Sequence, residues 1–216
     1  MKGVFKSKPP KPKYCCTWNM QTALSYLESL EPLEDLTLKQ LSYKTVLLLA
    51  LTSAARAHEL SSLDLTSSLR KEGSWEFTLP THIKTSRPGH PARKIFLPSF
   101  PENLKICVVR SLSAYVDRTK KLCNSSKLLV SYISPHKAIS SQSMSRWLSK
   151  ALRMAGIELG YSRHSTRGAS TSAAAAAGLS VELILEAADW ASAQTFERFY
   201  HREHSSGAFA RAMLSS

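Results

Sequence analysis

The chain has 216 residues, of which 43% are hydrophobic and 21% charged, with only 8 Gly and 10 Pro. This composition is typical of one sizeable globular domain and excludes collagen-like and wholly disordered chains. Its four cysteines are too few for a disulfide scaffold, no apolar run is long enough to cross a bilayer, and the N-terminus lacks the apolar core of a secretory signal. An intracellular protein with reduced cysteines is therefore expected.

The excess positive charge is confined to one stretch of the chain. Lys and Arg outnumber Asp and Glu by 29 to 16, and residues 77–181 hold 16 basic and 3 acidic residues, which accounts for the whole net charge of +13. This distribution favours a polyanionic partner, with nucleic acid first. A generally soluble basic surface and an acidic membrane surface are the alternatives.

The first half of the chain is predicted to contain a basic arm, two helices and a small sheet. Residues 1–13 carry five lysines, three prolines and no acid, which predicts a disordered arm serving in nuclear import, in phosphate contact or only in solubility. Apolar residues at helical spacing predict a helix from Thr17 to Pro32 and a buried helix over Thr37–Ala54. Strand-like patterns follow at 63–69, 75–79 and 94–98, and the last two flank the irregular hairpin tip THIKTSRPGHPAR.

The second half of the chain is predicted to be helical. One helix is expected over Leu104–Lys121, and an apolar stripe predicts another over Ser143–Ala155, closed by Gly156, that lies against nucleic acid or is purely structural. The alanine-rich segment from Ser170 to Ala177 ends at Gly178, and Ser180 and Ser192 begin two further helices. The fold class is therefore α+β, mostly helical, with a small antiparallel sheet.

Three segments place charged or aromatic residues where chemistry can use them. SAARAHEL sets Arg56 and Glu59 among apolar residues, RHSTR sets His164 and Arg167 on one helical face, and FERFY places Tyr200 after two phenylalanines. Each segment alone also fits a surface helix end or an aromatic core.

Motifs for nucleotide, phosphate-loop and zinc-protease sites are absent from the sequence. His201, Glu203 and His204 lie close together but lack a further ligand set, so a solvated helix end is expected there. The sequence thus predicts no cofactor and no metal.

Taken in order, the three segments and the hairpin resemble the catalytic signature of the tyrosine recombinases, the phage-integrase family. SAARAHEL is similar to the block with the family's first catalytic Arg, RHSTR to its H-x-x-R box, and IKTSRPG…ARKIFLP to the hairpin whose tip presents a catalytic Lys. Trp190 falls at the His/Trp position and Tyr200 at the nucleophile position. The segment from Tyr14 to Thr52 looks most like the recombinases of DIRS- and Ngaro-type retroelements.

The resemblance implies a tyrosine-recombinase-like catalytic domain over 14–216 without the family's N-terminal core-binding domain. It also implies a set of catalytic residues, with Glu59 orienting the site from behind them: Arg56, Lys84, His164, Arg167, Trp190 and Tyr200. The two arginines offer planar, permanently charged forks to the nonbridging phosphate oxygens, so the clamp can replace a metal. Tyr200 would be the nucleophile and Lys84 the general acid. His164 would accept a proton or hold the phosphate, and Trp190 would donate its N–H to the phosphate or buttress the pocket.

These roles predict a nuclear, site-specific DNA recombinase that cleaves and rejoins double-stranded DNA through a 3′-phosphotyrosine intermediate. It would act as a homo-oligomer on DNA, with the apolar segment Gly207–Leu214 docking on a neighbouring subunit or packing within its own. Two alternatives are an inactive or domesticated DNA-binding remnant and a type IB topoisomerase-like nicking-closing enzyme.

Two departures from the family pattern occur within the matching segments. Tyr200 lies ten residues after Trp190, where many bacterial members have nine. Ala54 stands where the family usually has Gly, two residues before the first Arg. This second change is expected to matter only for packing.

Overall fold

The computed structural model describes residues 17–80, 92–157, 161 and 165–190. These residues form one hydrophobic core of helices packed against a small sheet. Seven α-helices are assigned in the described ranges: α1 Met20–Ser29, α2 Leu38–Ser53, α3 Ala57–Ser61, α4 Val108–Thr119, α5 Ser141–Met154, α6 Ser165–Ala176 and α7 Val181–Ala188. The predicted arm over 1–13 and the helix predicted from Ser192 lie outside the described residues.

Helix α2 is the centre of the core. Thr37 begins it with a capping box, in which its hydroxyl accepts from the Gln40 backbone N–H and the Gln40 side chain accepts from the Thr37 N–H. The helix is buried over nearly its whole length, including Leu41 and Val46–Leu49, because α4, α5 and α6 all pack around it. The continuous apolar run that predicted a buried helix is thus explained by neighbours on every side.

The sheet has three antiparallel strands in the order β1 Ser68–Lys71, β2 Ser74–Thr78 and β3 Lys94–Pro98. Trp75 pairs with Leu97 and Phe77 with Ile95, and these four side chains are buried on one face. Strands β2 and β3 match their predicted segments closely, because short runs rich in aromatic and aliphatic residues between turns are a strong local signal.

Two predicted elements differ from the structure. The strand expected over 63–69 begins only at Ser68, since the Asp64 carboxylate accepts from both the backbone and the hydroxyl of Thr66 and shapes a 3₁₀ turn over Leu65–Ser67. The single helix expected over 104–121 is instead a 3₁₀ segment, Pro101–Ile106, followed by α4, with extended backbone at Cys107 between them.

The C-terminal ends of α5 and α6 and the start of α7 agree with the prediction. Gly156 closes α5 with a positive φ of 79°, donating to the Arg153 carbonyl while Ile157 donates to that of Leu152. Gly178 closes α6 in the same way, and the Ser180 hydroxyl caps α7. The mostly helical α+β class with a small antiparallel sheet is confirmed. None of the described helices has the length and apolarity to span a bilayer.

Candidate active site

Arg56 is presented by a tight turn between α2 and α3. Helix α2 ends at Ser53, Ala54 adopts the left-handed conformation with φ 48° and ψ 22°, and Arg56 is extended just before α3. A left-handed residue reverses the chain direction, which is why glycine is favoured at such a position. The Ala54 substitution therefore concerns backbone conformation, and the expectation that it affects only packing was wrong.

Glu59 is a buried carboxylate between two guanidinium groups. Its Oε1 accepts from Nη1 of Arg56 at 2.9 Å, and its Oε2 accepts from the Arg56 backbone N–H at 2.6 Å and from Nη1 of Arg93 at 2.5 Å. Burial alone would raise the pKa of Glu59. The charges of Arg93 and Arg56 and the bonds from Arg56 outweigh that effect and hold the pKa below its ordinary value.

Arg93 was not singled out by the sequence, yet it joins three elements of the site. Besides Glu59, its guanidinium donates through Nη2 to the carbonyl of Ser53 at 3.3 Å and to that of Ala187 at 2.7 Å. Arg93 thereby connects the end of α2, helix α3 and the last turn of α7. Its one sequence signal is its place just before β3, at the foot of the predicted hairpin.

Arg167 lies buried in α6, and its guanidinium is packed against Trp190. The Arg167 Cζ is 4.7 Å from the centre of the Trp190 ring, and Nη2 donates to the carbonyl of Ala188. Trp190 is brought there by the end of α7. Asp189 is left-handed with φ 49°, and the Trp190 N–H donates to the Leu185 carbonyl, which turns the chain back.

Arg93 and Arg167 therefore bind consecutive carbonyls, those of Ala187 and Ala188, at the C-terminal end of one helix. The last carbonyls of a helix lack intrahelical donors and carry partial negative charge, so they attract cations. Two segments that lie far apart in sequence, one carrying Arg56 and the other carrying Arg167, are joined at this point.

The start of α6 is held by a hydrogen bond from Trp18. Its indole Nε1 donates to the hydroxyl of Ser165 at 2.9 Å, and both residues are buried. Ser165 directly follows His164, so the N-terminal segment of the fold holds the residue next to a predicted catalytic one.

Comparison with known proteins places this arrangement in a family. The family model described as "Phage integrase family" matches residues 25–206, which include every predicted catalytic residue. The chain belongs to the phage integrase family. No curated protein sequence matches it.

Solved structures of site-specific recombinases and integrases share the fold of this phage-integrase-family chain. The XerA recombinase is 15% identical with a TM-score of 0.67, and the match covers 98% of this chain and 67% of the XerA chain. The XerH recombinase on its palindromic difH substrate is 15% identical, with a TM-score of 0.69 and coverages of 97% and 55%. The Tn1549 transposon integrase with circular intermediate DNA is 13% identical, with a TM-score of 0.62 and coverages of 99% and 68%. The chain thus spans between about half and two thirds of the length of the chains in these structures.

Four of the predicted site residues of this family member lie within the described residues: Arg56, Glu59, Arg167 and Trp190. The structure brings them together in two connected pairs, Arg56 with Glu59 and Arg167 with Trp190. Lys84, His164 and Tyr200 lie outside the described residues. The last described backbone pairing before the segment with Lys84 joins the Leu79 N–H to the Arg93 carbonyl at 2.9 Å. Because Arg93 also binds Glu59, the foot of that hairpin is part of the site.

Helix α5 presents the main exposed basic face of the described part. It contains no acidic residue, and Arg146, Lys150 and Arg153 are all exposed. Together with serines of its first turn and Tyr132, they line a cleft of about 1100 Å³. Several other basic residues of the 77–181 stretch bind within the protein instead, as Arg110 does with Glu31. The net charge therefore overstates how many cations face solvent.

Among the described residues, no group of three or more His, Cys, Asp and Glu side chains is arranged to hold a metal ion. His201, Glu203 and His204 lie outside those residues.

Proposed function

We propose that this chain is the catalytic domain of a site-specific DNA recombinase that cleaves and rejoins duplex DNA through a 3′-phosphotyrosine intermediate. The observation that carries the proposal is the connection of Arg56 to Arg167 through Glu59, Arg93 and the end of α7. Two guanidinium groups held by one network of hydrogen bonds suit a phosphodiester, because its two nonbridging oxygens gain charge in the transition state.

The chemistry is a transfer of the phosphoryl group from one oxygen to another. The phenolic oxygen of Tyr200 attacks phosphorus while the bond from phosphorus to the 5′ oxygen breaks, and Arg56 and Arg167 bind the nonbridging oxygens. His164 accepts the phenol proton, and Lys84 gives a proton to the departing 5′ oxygen. Attack by a second strand's 5′-hydroxyl on the phosphotyrosine reverses these steps and regenerates Tyr200, so no external energy source is needed.

Trp190 acts in this scheme as a support for Arg167. The position of the Arg167 guanidinium over the indole ring favours the buttressing role over direct phosphate donation. An aromatic ring attracts a guanidinium through its π face, whereas phosphate is bound by the N–H groups, so both contacts are compatible.

The duplex is proposed to lie against α5. Its three exposed cations and the serines of its first two turns, Ser141, Ser143 and Ser145, line the same cleft. Lys and Arg on one acid-free helix face neutralise phosphates, and hydroxyls add bonds to their oxygens. The XerH and Tn1549 integrase structures were solved with DNA, and a λ integrase structure is a tetramer on a Holliday junction, so a homo-oligomer on DNA is proposed for this chain too.

A finer proposal concerns the source of the domain. The segment from Tyr14 to Thr52 resembles DIRS- and Ngaro-type retroelement recombinases, and the arm over 1–13 has the lysine content of a nuclear import signal. A retroelement recombinase acting in the nucleus fits both features. Fluorescent fusions with and without residues 1–13 test it, since the arm should be needed for nuclear accumulation.

The experiment for the main proposal is a suicide substrate, a nicked duplex from which the cleaved strand's short end diffuses away. Wild-type protein should form a covalent protein–DNA adduct in excess EDTA, and Tyr200→Phe should bind the duplex without forming one. Tyr26→Phe is the matched control, because the Tyr26 hydroxyl is buried with no hydrogen-bond partner among the described residues. Absence of adduct in the wild type would favour the DNA-binding remnant. Adduct without strand exchange between two duplexes would favour the topoisomerase-like enzyme.

A further inference from the structure

We propose that Arg93 is a positioning residue that neutralises Glu59, so that the charge of Arg56 is left for the DNA phosphate. The inference rests on the proposed function and concerns a residue outside the catalytic set that the family resemblance implies. It follows from the charges and exposures of the three side chains at the α2–α3 turn.

The two guanidinium groups on Glu59 differ in exposure. The Arg56 side chain is 34% exposed, the Arg93 side chain is 11% exposed, and the Glu59 side chain is fully buried. Arg93 is committed to three acceptors within the protein, on Glu59, Ser53 and Ala187. Arg56 is therefore the group of this trio placed to meet a ligand arriving from solvent.

The charges of the trio add up to +1, two guanidinium cations against one carboxylate. Without Arg93, Arg56 and Glu59 would be a neutral pair, and a phosphate would have to compete with the carboxylate for the same fork. Attraction between charges is strong where water is excluded, so removing one cation from a buried carboxylate strengthens its hold on the other. Arg93 thus determines how strongly Arg56 attracts a phosphate that arrives from solvent.

Arg93 also determines where that charge lies relative to Arg167. Its Nη2 binds the Ala187 carbonyl, next to the Ala188 carbonyl that Arg167 binds. The same side chain therefore connects the Arg56 turn to the helix end that holds Arg167. A displacement of either arginine by about 1 Å is enough to weaken catalysis strongly.

The test measures single-turnover cleavage by Arg93→Met, Arg93→Lys and the double variant Arg93→Met/Glu59→Gln. Arg93→Met should cleave about 10- to 100-fold more slowly, less than the 10²- to 10³-fold typical of losing a group that touches the reacting oxygen. Arg93→Lys keeps the charge and should lose less. Adding Glu59→Gln to Arg93→Met removes the competing carboxylate and should recover part of the rate.

A merely structural role predicts a different pattern, in which the double variant is at least as slow as Arg93→Met. That result, or a wild-type rate in Arg93→Met, would overturn the proposal. Arg110→Met is the matched control, because Arg110 binds Glu31 beside Lys44 in a similar trio that contains none of the site residues. It should lower the melting temperature and leave the cleavage rate unchanged.

A second readout separates this inference from the proposed function. The side-chain N–H signal of Arg56 in a ¹⁵N-arginine NMR spectrum should shift when a short duplex is added, and shift much less in Arg93→Met. If the wild type shows this response but forms no adduct, the proposed function fails and the inference stands. If Arg56 responds equally in both proteins, or in neither, the inference is wrong whatever the cleavage result.

Discussion

The guanidinium of Arg167 lies over the indole ring of Trp190, with 4.7 Å between Cζ and the ring centre. Arg167 is 6% exposed, and it reaches the carbonyl that precedes Asp189 at the end of α7. A buried cation is expensive unless it is compensated, and here a ring face and a helix C-terminus provide compensation together. Trp190 thus has a structural reason to be aromatic.

Trp190 should tolerate another aromatic residue but not a small one. Trp190→Phe keeps a ring over Arg167 and should cleave within a few-fold of wild type. Trp190→Ala loses a contact worth about 0.5–2 kcal/mol and should be slower by about 2- to 30-fold. Single-turnover cleavage of a suicide substrate measures both. If Phe and Ala are equally slow, the indole N–H itself is needed and Trp190 acts as a phosphate donor.

Ala54→Gly should stabilise the protein. Ala54 has φ 48°, a left-handed conformation that costs a residue with a Cβ about 1–2 kcal/mol. Since glycine loses part of that gain through greater freedom in the unfolded chain, we expect a net increase of about 1 kcal/mol in the free energy of unfolding. Urea denaturation measures it. The control Ala50→Gly, in the last turn of α2, should change stability in the opposite direction.

Lys84 should be dispensable when the leaving group needs no proton. Lys84→Ala should cleave an ordinary substrate about 10²- to 10⁴-fold more slowly, a typical general-acid contribution. Sulfur in place of the bridging 5′ oxygen makes the leaving group a thiolate, whose conjugate acid has a pKa of about 8.5, far below the pKa of an alcohol. The variant should then cleave nearly as fast as wild type, whereas Arg56→Ala should gain much less. Equal impairment on both substrates would make Lys84 a phosphate-binding or structural residue.

Helix α5 should contribute to the salt dependence of DNA binding. The logarithm of the binding constant falls with the logarithm of salt concentration by about 0.9 for each phosphate neutralised. Lys150→Ala and Arg153→Ala should each weaken binding and reduce the slope by up to that amount. Lys120→Ala is the control, because Lys120 is exposed and paired with Asp117 at the end of α4, away from α5 in sequence. This variant should leave the slope unchanged. An unchanged slope in the α5 variants would place the duplex elsewhere.

Much of the fold could be predicted because its signals are local. Thr37 and Ser180 cap helices through bonds to residues only three positions away, and Gly156 and Gly178 end helices by adopting positive φ values. Short runs rich in aromatic and aliphatic residues identified β2 and β3. Such interactions depend on near neighbours in the chain, so they can be read without knowing what the segment packs against.

The order of the motif residues was also legible in the sequence, and from it the family. Arg56, Glu59 and Arg167 were singled out by residue type and spacing and Trp190 by the family resemblance, and the family match covers all of them. The positions of Lys84, His164 and Tyr200 within the site remain predictions, since these residues lie outside the described part of the chain.

The tertiary structure alone decided how these residues are held. Arg93 looked like one more surface cation, yet it binds Glu59, 34 residues away, and Ala187, 94 residues away. No periodicity or spacing encodes such a contact, because it depends on where the sheet, α3 and α7 meet. For the same reason the basic stretch 77–181 looked uniform in sequence, and folding divided it into arginines that hold the site and cations that face solvent.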